Sequence, residues 1–439
     1  MKLLIRNGRV IDPASGTDRV ADVAIAAGRI IGIGSALADF APNRVLDASG
    51  CWVLPGLVDL CVRLREPGGE HAGLLESETA AAVAGGVTSL VCPPDTDPVL
   101  DEPGLVDMLR KRAEALHRCR VLPLGALTRG LAGEVLAEMV QLSERGCVGF
   151  GQADRPIVNT QVLLRALQYA ATFGYTVWLR PDEPWLGKGV MASGPLATRL
   201  GLPGVPAAAE VIALHTVLEL LRSVVGHPPS ASVRLHIARL STAAGVELVR
   251  RAKAEGLPVT ADVSIHNLML TDTDIGYYDT RLRLQPPLRQ QRDREALRQG
   301  LADGTLDALV SDHTPVSADD KLLPFGEAAP GATAVELLAA VALKWAEQDR
   351  VPLARVVEVL TLGPARVLGA RLGTLGASLG RLAVGGVADV CVLAPQAPWR
   401  VEPAALVSQG RHTPFEGHEL PARVRATLVG GHLAYEAQP

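Results

Sequence analysis

The chain has 439 residues, too long for a minimal single domain and suited to one large unit with a smaller one, and its 48% hydrophobic and 21% charged residues describe an ordinary folded protein with ample core. A net charge of −4 leaves no basic footprint for nucleic acid and no polybasic patch for a membrane surface. The six cysteines, at 51, 61, 92, 119, 147 and 391, have no CxxC spacing and lie mostly in apolar runs, which fits reduced thiols of a cytoplasmic core better than disulfides.

In chain order, residues 1–6 offer too short an apolar run for a signal peptide, so a soluble, cytoplasmic protein is expected. Up to residue 53 the chain reads as short strands at 3–7, 20–25, 29–33 and 45–47. From 54 the pattern changes to apolar strand followed by amphipathic helix. Strands are predicted at 57–63, 87–92, 119–125, 146–150, 175–179, 232–237, 257–263 and 306–311. Helical periodicity lies between most of them, at 102–117, 159–173, 207–224, 241–255 and 290–302. The uncharged run 79–94 is broken by Gly85-Gly86 and ends in prolines, which leaves it short for a membrane span. Eight strands with intervening helices predict an α/β fold, a (β/α)8 barrel over residues 54–375 with its chemistry at the strand C-terminal ends. Helices follow near 334–348, 352–360 and 363–370, then strands at 388–393, 423–429 and 432–435. Residues 1–53 and 376–439 are expected to pair into one small β-sandwich beside the barrel.

Asp59-Leu60-Cys61-Val62-Arg63-Leu64-Arg65-Glu66-Pro67-Gly68 is the most informative stretch. On a continuous strand alternate side chains share a face, so Asp59, Cys61, Arg63 and Arg65 are expected to point together into the barrel mouth. The frame is that of the first metal-binding strand of metal-dependent amidohydrolases, D-x-H-x-H-x-R-E-P-G, with Cys61 and Arg63 in the two histidine positions. Cysteine can bind zinc, but arginine has no free lone pair and stays protonated. Further family-like stretches follow in order: Gly85-Gly86-Val87-Thr88, Arg199 to Pro206, Gln285-Pro286-Pro287-Leu288-Arg289, Ser311-Asp312-His313-Thr314-Pro315 and Thr413-Pro414-Phe415-Glu416-Gly417. Weak singly, together they cover nearly the whole chain, which thereby resembles the dihydroorotase family.

The resemblance places the family's third metal-site histidine on Arg180 and its fourth on Arg239. The bridging carboxylate falls in Gly149-Phe150-Gly151-Gln152-Ala153-Asp154, where an ungapped match loses both acidic positions. Of the metal-site residues only Asp312 is kept. On the substrate side Arg65 is kept, while a carboxylate-binding asparagine becomes Asp95 and a histidine becomes Val316. Three guanidinium groups in place of neutral imidazoles oppose a dication, and ring hydrolysis needs a metal to ionise water near neutral pH. Zinc is therefore expected to be absent, with no other cofactor and no catalytic residue. Among the histidines, His266 matches one in a family P-H-H-L and is read as a structural or pocket-lining remnant. His313 is read as half of a strand-end pair with Asp312, and His236 as a core residue. His71, His117, His215, His227, His412, His418 and His432 lack ligand spacing.

A large fold retained without its chemistry resembles the non-catalytic dihydroorotase-like subunits of bacterial aspartate transcarbamoylase. This resemblance implies a scaffold in pyrimidine biosynthesis that binds the transcarbamoylase catalytic subunit, a homo-oligomer inside a hetero-oligomeric assembly. The competing expectation is an active metal-dependent cyclic amidohydrolase, dihydroorotase or hydantoinase-like. Its site would be rebuilt from Cys61, His236, His266, Asp312 and His313 after Arg63, Arg180 and Arg239 swing outward. A third is an anion pocket built from the arginines. If the arginines fill the vacated volume, one of them should hydrogen-bond Asp312.

Overall fold

Parallel strands buried on both faces organise the larger unit of the computed structural model, which describes residues 2–34, 40–226 and 232–437, without the side chains of 370, 371 and 374. His227 lies outside the described residues. The barrel strands are Leu57–Asp59, Val87–Cys92, Arg120–Pro123 resuming as Gly125–Ala126, Phe150–Gly151, Thr176–Leu179, Arg234–Ile237, Val259–Ser264 and Ala308–Val310. Each pairs in parallel with the next. The ring closes where Val62 bridges His313, with Arg63 N–H donating to the His313 carbonyl at 2.9 Å and His313 N–H to that of Cys61 at 3.2 Å. Val58, Val91, Leu124, Trp178 and Val310 fill the interior, with Leu368 and Leu379 in the same cluster.

Most of the predicted barrel strands are shorter than expected; the first loses the most residues. The first ends as regular strand at Asp59 rather than 63, because the Asp59 carboxylate accepts the Cys61 N–H at 3.2 Å and interrupts the ladder, which Val62 and Arg63 rejoin through the Val91 and His313 carbonyls. By Arg65 the backbone has φ +63°, so strict alternation of Asp59, Cys61, Arg63 and Arg65 on one face fails. The fourth strand keeps only Phe150–Gly151. The helices fall close to their predicted places. Thr160–Phe173, for instance, starts where the Asn159 side chain accepts the Gln161 N–H at 2.9 Å and stops at Gly174, φ +66°. It buries Leu163, Ala166, Leu167 and Ala170, one stripe at helical spacing. Helix Leu75–Ala84 was not predicted, because its buried residues, Leu75, Glu78, Thr79, Ala81, Ala82 and Val83, run round most of its circumference and leave no stripe. With it, the uncharged run divides into a helix end, a turn at Gly86 (φ +86°) and strand Val87–Cys92.

Beside the barrel, segments from both ends of the chain form one sheet. Its order is His432–Glu436, Arg423–Val429, Val390–Ala394, Trp52–Pro55, Lys2–Asp12, Thr17–Ala26 and Arg29–Gly34, with Arg44–Asp47 also on Lys2–Asp12. Its own core contains Leu3, Ile5, Val23, Val390 and Ala426. Among the described residues no helix is long and apolar enough to cross a membrane.

Candidate functional site

At the C-terminal ends of the barrel strands, three arginines converge on one carboxylate. Arg63, four residues past the first strand, donates from Nη2 to Asp154 Oδ2 at 2.6 Å, from Nε to Asp95 at 2.8 Å and from Nη1 to Thr314 Oγ1 at 3.1 Å. Arg180, directly after Thr176–Leu179, donates from Nε to Asp154 Oδ1 and from Nη2 to Asp182, each at 2.7 Å. Arg239, two residues past Arg234–Ile237, donates from Nη2 to Asp154 Oδ1 and from Nη1 to Asp312 at 3.1 Å. Arg239 is thus the arginine expected beside Asp312. The three side chains are 6, 5 and 3% exposed, so none swings out to solvent.

The backbone that aims these groups is held by buried carboxylates. Asp262 accepts the Arg239 N–H at 2.7 Å and the His236 Nε2 contact at 2.8 Å, which fixes Arg239 at φ +54°. His236, fully buried and also 2.9 Å from Thr260 Oγ1, is a core residue. Asp59 ties Cys61 N–H to Ser311 N–H across the closing seam and sets the approach to Asp312, φ +53°.

Asp154 corrects the sequence reading. Matching Gly149–Asp154 to the family stretch loses both acidic positions, at Gln152 and Ala153, yet Asp154, the next residue, supplies the central carboxylate. Ala153 at φ +50° bends the chain to bring it there, and nothing in residue type or spacing announces that bend. Burial pushes the Asp154 carboxyl up, but the guanidinium groups of Arg239, Arg63 and Arg180 more than reverse this and hold it far below the usual carboxylate range. Burial raises the Asp312 carboxyl, with Arg239 and Arg63 opposing. Cys61, whose Sγ is 3.6 Å from Asp312 Oδ1, is pushed well above an ordinary thiol by burial and stays protonated.

Cys61, Arg63, Asp95, Arg180, Arg239 and Asp312 therefore share one cluster, whereas Arg65, His266 and His313 stand outside it. Arg65 Nε donates to the Pro315 carbonyl at 2.7 Å. His266, buried in the short helix Ile265–Met269, stacks on Phe415 with ring centres 5.6 Å apart and has no hydrogen-bond partner at either nitrogen. His313 Nδ1 accepts the Ala334 N–H at 3.0 Å, so Nε2 carries the proton and donates to Glu78 at 2.8 Å. His313, a strand-end residue making hydrogen bonds, thus has Glu78 as its side-chain partner. Among the described residues no three His, Cys, Asp or Glu side chains gather as metal donors. The lone pairs of Asp154 are already taken by guanidinium N–H groups, so the residues present do not fit a catalytic dication.

Residues 50–242 match the Dihydro-orotase-like family and residues 185–435 the amidohydrolase family. A Dihydroorotase-like protein of Pseudomonas aeruginosa is 44% identical over 437 residues, 99% of this chain and 100% of the relative. The chain belongs to the dihydroorotase-like amidohydrolases. Another Dihydroorotase-like protein, from Pseudomonas putida, is 43% identical over 99% of both chains. A Dihydroorotase of Anaeromyxobacter sp. (strain K) is 43% identical over 99% of this chain and 98% of the relative. The L-hydantoinase (dihydropyrimidinase) of Arthrobacter aurescens superposes with a TM-score of 0.86 at 23% identity, covering 99% and 96% of the two chains, a likeness of fold: an amidohydrolase TIM barrel with a β-sandwich.

Proposed function

We propose that this dihydroorotase-like protein does not hydrolyse cyclic amides and serves by its shape, as a scaffold for aspartate transcarbamoylase in pyrimidine biosynthesis. The observation that carries the first half is the triple pairing of Asp154 with Arg63, Arg180 and Arg239. A zinc ion there would meet fixed positive charge and find its carboxylates engaged, so zinc is expected to be absent and water is not ionised. The partner half rests on the resemblance to non-catalytic subunits of such assemblies, in which a homo-oligomer of this chain would hold the transcarbamoylase catalytic subunit, in the cytoplasm. A second reading, an active cyclic amidohydrolase, is favoured by the name Dihydroorotase of the 43% identical Anaeromyxobacter relative.

Elemental analysis of protein purified without added metal, together with turnover of carbamoyl aspartate, separates the two. The scaffold reading expects no stoichiometric zinc and no turnover; one equivalent of zinc with measurable turnover establishes the enzyme instead. Co-expressed transcarbamoylase is expected to co-purify in an assembly whose size and activity depend on this chain, and a transcarbamoylase that assembles and works fully alone sinks the scaffold.

A further inference from the structure

Next to the arginine cluster lies a cavity of about 180 Å³ whose wall carries five cationic side chains, Arg180, Lys188, Arg239, Arg283 and Arg289, against two carboxylates. Both carboxylates are already engaged. Asp182 accepts from Arg180 Nη2 at 2.7 Å. Glu210 accepts the Ser241 N–H at 2.8 Å and the Thr242 N–H at 2.9 Å, with both hydroxyls. Arg180 and Arg239 are neutralised in turn by Asp154, Asp182 and Asp312.

The other three cations have no carboxylate partner among the described residues. The Arg283 side chain lines the cavity and makes no hydrogen bond there; its Nε is buried without an acceptor, as is Nε of Arg239. Burial alone pulls the Arg283 guanidinium below its ordinary value, with no anion opposing the shift. Lys188 faces the Trp185 ring at 4.1 Å. Arg289, 5% exposed, reaches only neutral oxygens, Ser241 Oγ at 2.8 Å and the Val205 carbonyl at 3.2 Å. Lys188 is exposed, but for the half-buried Arg283 and the buried Arg289 a charge without a counter-charge is costly unless something supplies one. The cavity shares no residue with the recess around Arg65 and Asp95, where the family resemblance puts a substrate carboxylate.

We propose that this cavity is an anion site for a compact oxyanion bearing two negative charges, a phosphate group or a small dicarboxylate, held by Arg283 and Lys188 with Arg289 behind them. The arginines of the cluster itself are not the anion holders, because aspartates already occupy them. The inference asks nothing of hydrolysis or of the transcarbamoylase, so it stands or falls separately from the scaffold.

The full chain, titrated by calorimetry and thermal shift with inorganic phosphate and with succinate, each against chloride at matched ionic strength, tests it. At least one anion is expected to bind at a single site and to raise Tm progressively above the chloride control. Saturation by phosphate alone identifies a phosphate group as the ligand chemistry; saturation by succinate alone identifies a dicarboxylate. Arg283→Gln is expected to weaken binding about tenfold or more, Lys188→Gln to weaken it less, and the exposed Arg251→Gln to leave it unchanged. If neither anion acts beyond chloride, or if Lys188→Gln and Arg283→Gln both bind as the parent does, the site does not exist. Should Arg283→Gln fail to fold, Lys188→Gln decides alone: unchanged binding overturns the assignment.

Discussion

Two buried polar networks sit at the barrel mouth, and they are built differently. Around Asp154, long guanidinium side chains from three strand ends share a few carboxylates, and Arg239 Nε and neighbouring Arg283 Nε are left without acceptors. Around Glu78 the members are short. His313, Ser408 Oγ, Ser77 Oγ and the Gln409 N–H all donate to its carboxylate, and both Glu78 and His313 are fully buried. The second network joins helix Leu75–Ala84, the eighth strand end and the 408–409 segment, and its hydrogen bonds are used up. The first has hydrogen-bonding capacity left over. Charge alone does not distinguish them; unspent donors do, and they border a cavity.

The widest separation between the networks comes from removing each central acid. Asp154→Asn leaves three buried guanidinium groups sharing a neutral amide and is expected to cost about 3–5 kcal/mol by denaturant titration. In the parent, this carboxyl's native value lies below its ordinary 3.8, so its stabilisation is full above that pH and is lost as pH falls below it. The variant should therefore show a flatter stability profile in acid. Glu78→Gln is expected to cost less, roughly 2–3 kcal/mol, since glutamine keeps one acceptor for the four donors. A larger loss there than at Asp154 would show that the Glu78 network, not the arginine one, holds the mouth together.

His266 sharpens the contrast from a third position, buried yet belonging to neither network. Burial pushes its imidazole down to about 3 from an ordinary 6.5. The unfolded chain takes up a proton first as pH falls, so folded stability declines between those two values. His266→Phe removes both the proton uptake and two unpartnered nitrogens, and is expected to stabilise by about 2 kcal/mol near pH 5 and by less at pH 8. Thermal melts across that range check it; equal effects at both pH values would refute the pH-linked part.

The barrel strands and most helices were legible because strand and helix periods alternate from residue 54 onward. The helix at 75–84 was not, for it is buried nearly all round. The three arginines could be placed from the family frame, since each directly follows, or lies within a few residues of, a strand end. Asp154 could not, because what brings it to the centre is a left-handed turn at Ala153, a conformation with no signature in an alanine. Likewise the roles of Asp59 and Asp262 depend on backbone N–H groups across strand ends, which spacing does not reveal. For His313 the sequence suggests an ordinary strand-end residue making hydrogen bonds but not the acceptor, Glu78, which lies 235 positions away.

The sheet beside the barrel carries a consequence for synthesis. Trp52–Pro55 lies between Lys2–Asp12 and Val390–Ala394, so the early hairpins have no neighbour on that flank until the ribosome has released residues beyond 394. During that interval an apolar edge stays open while most of the chain is still being made. The nascent protein thus depends on its last strands to cover its first, and a truncation before residue 390 should expose that edge and aggregate.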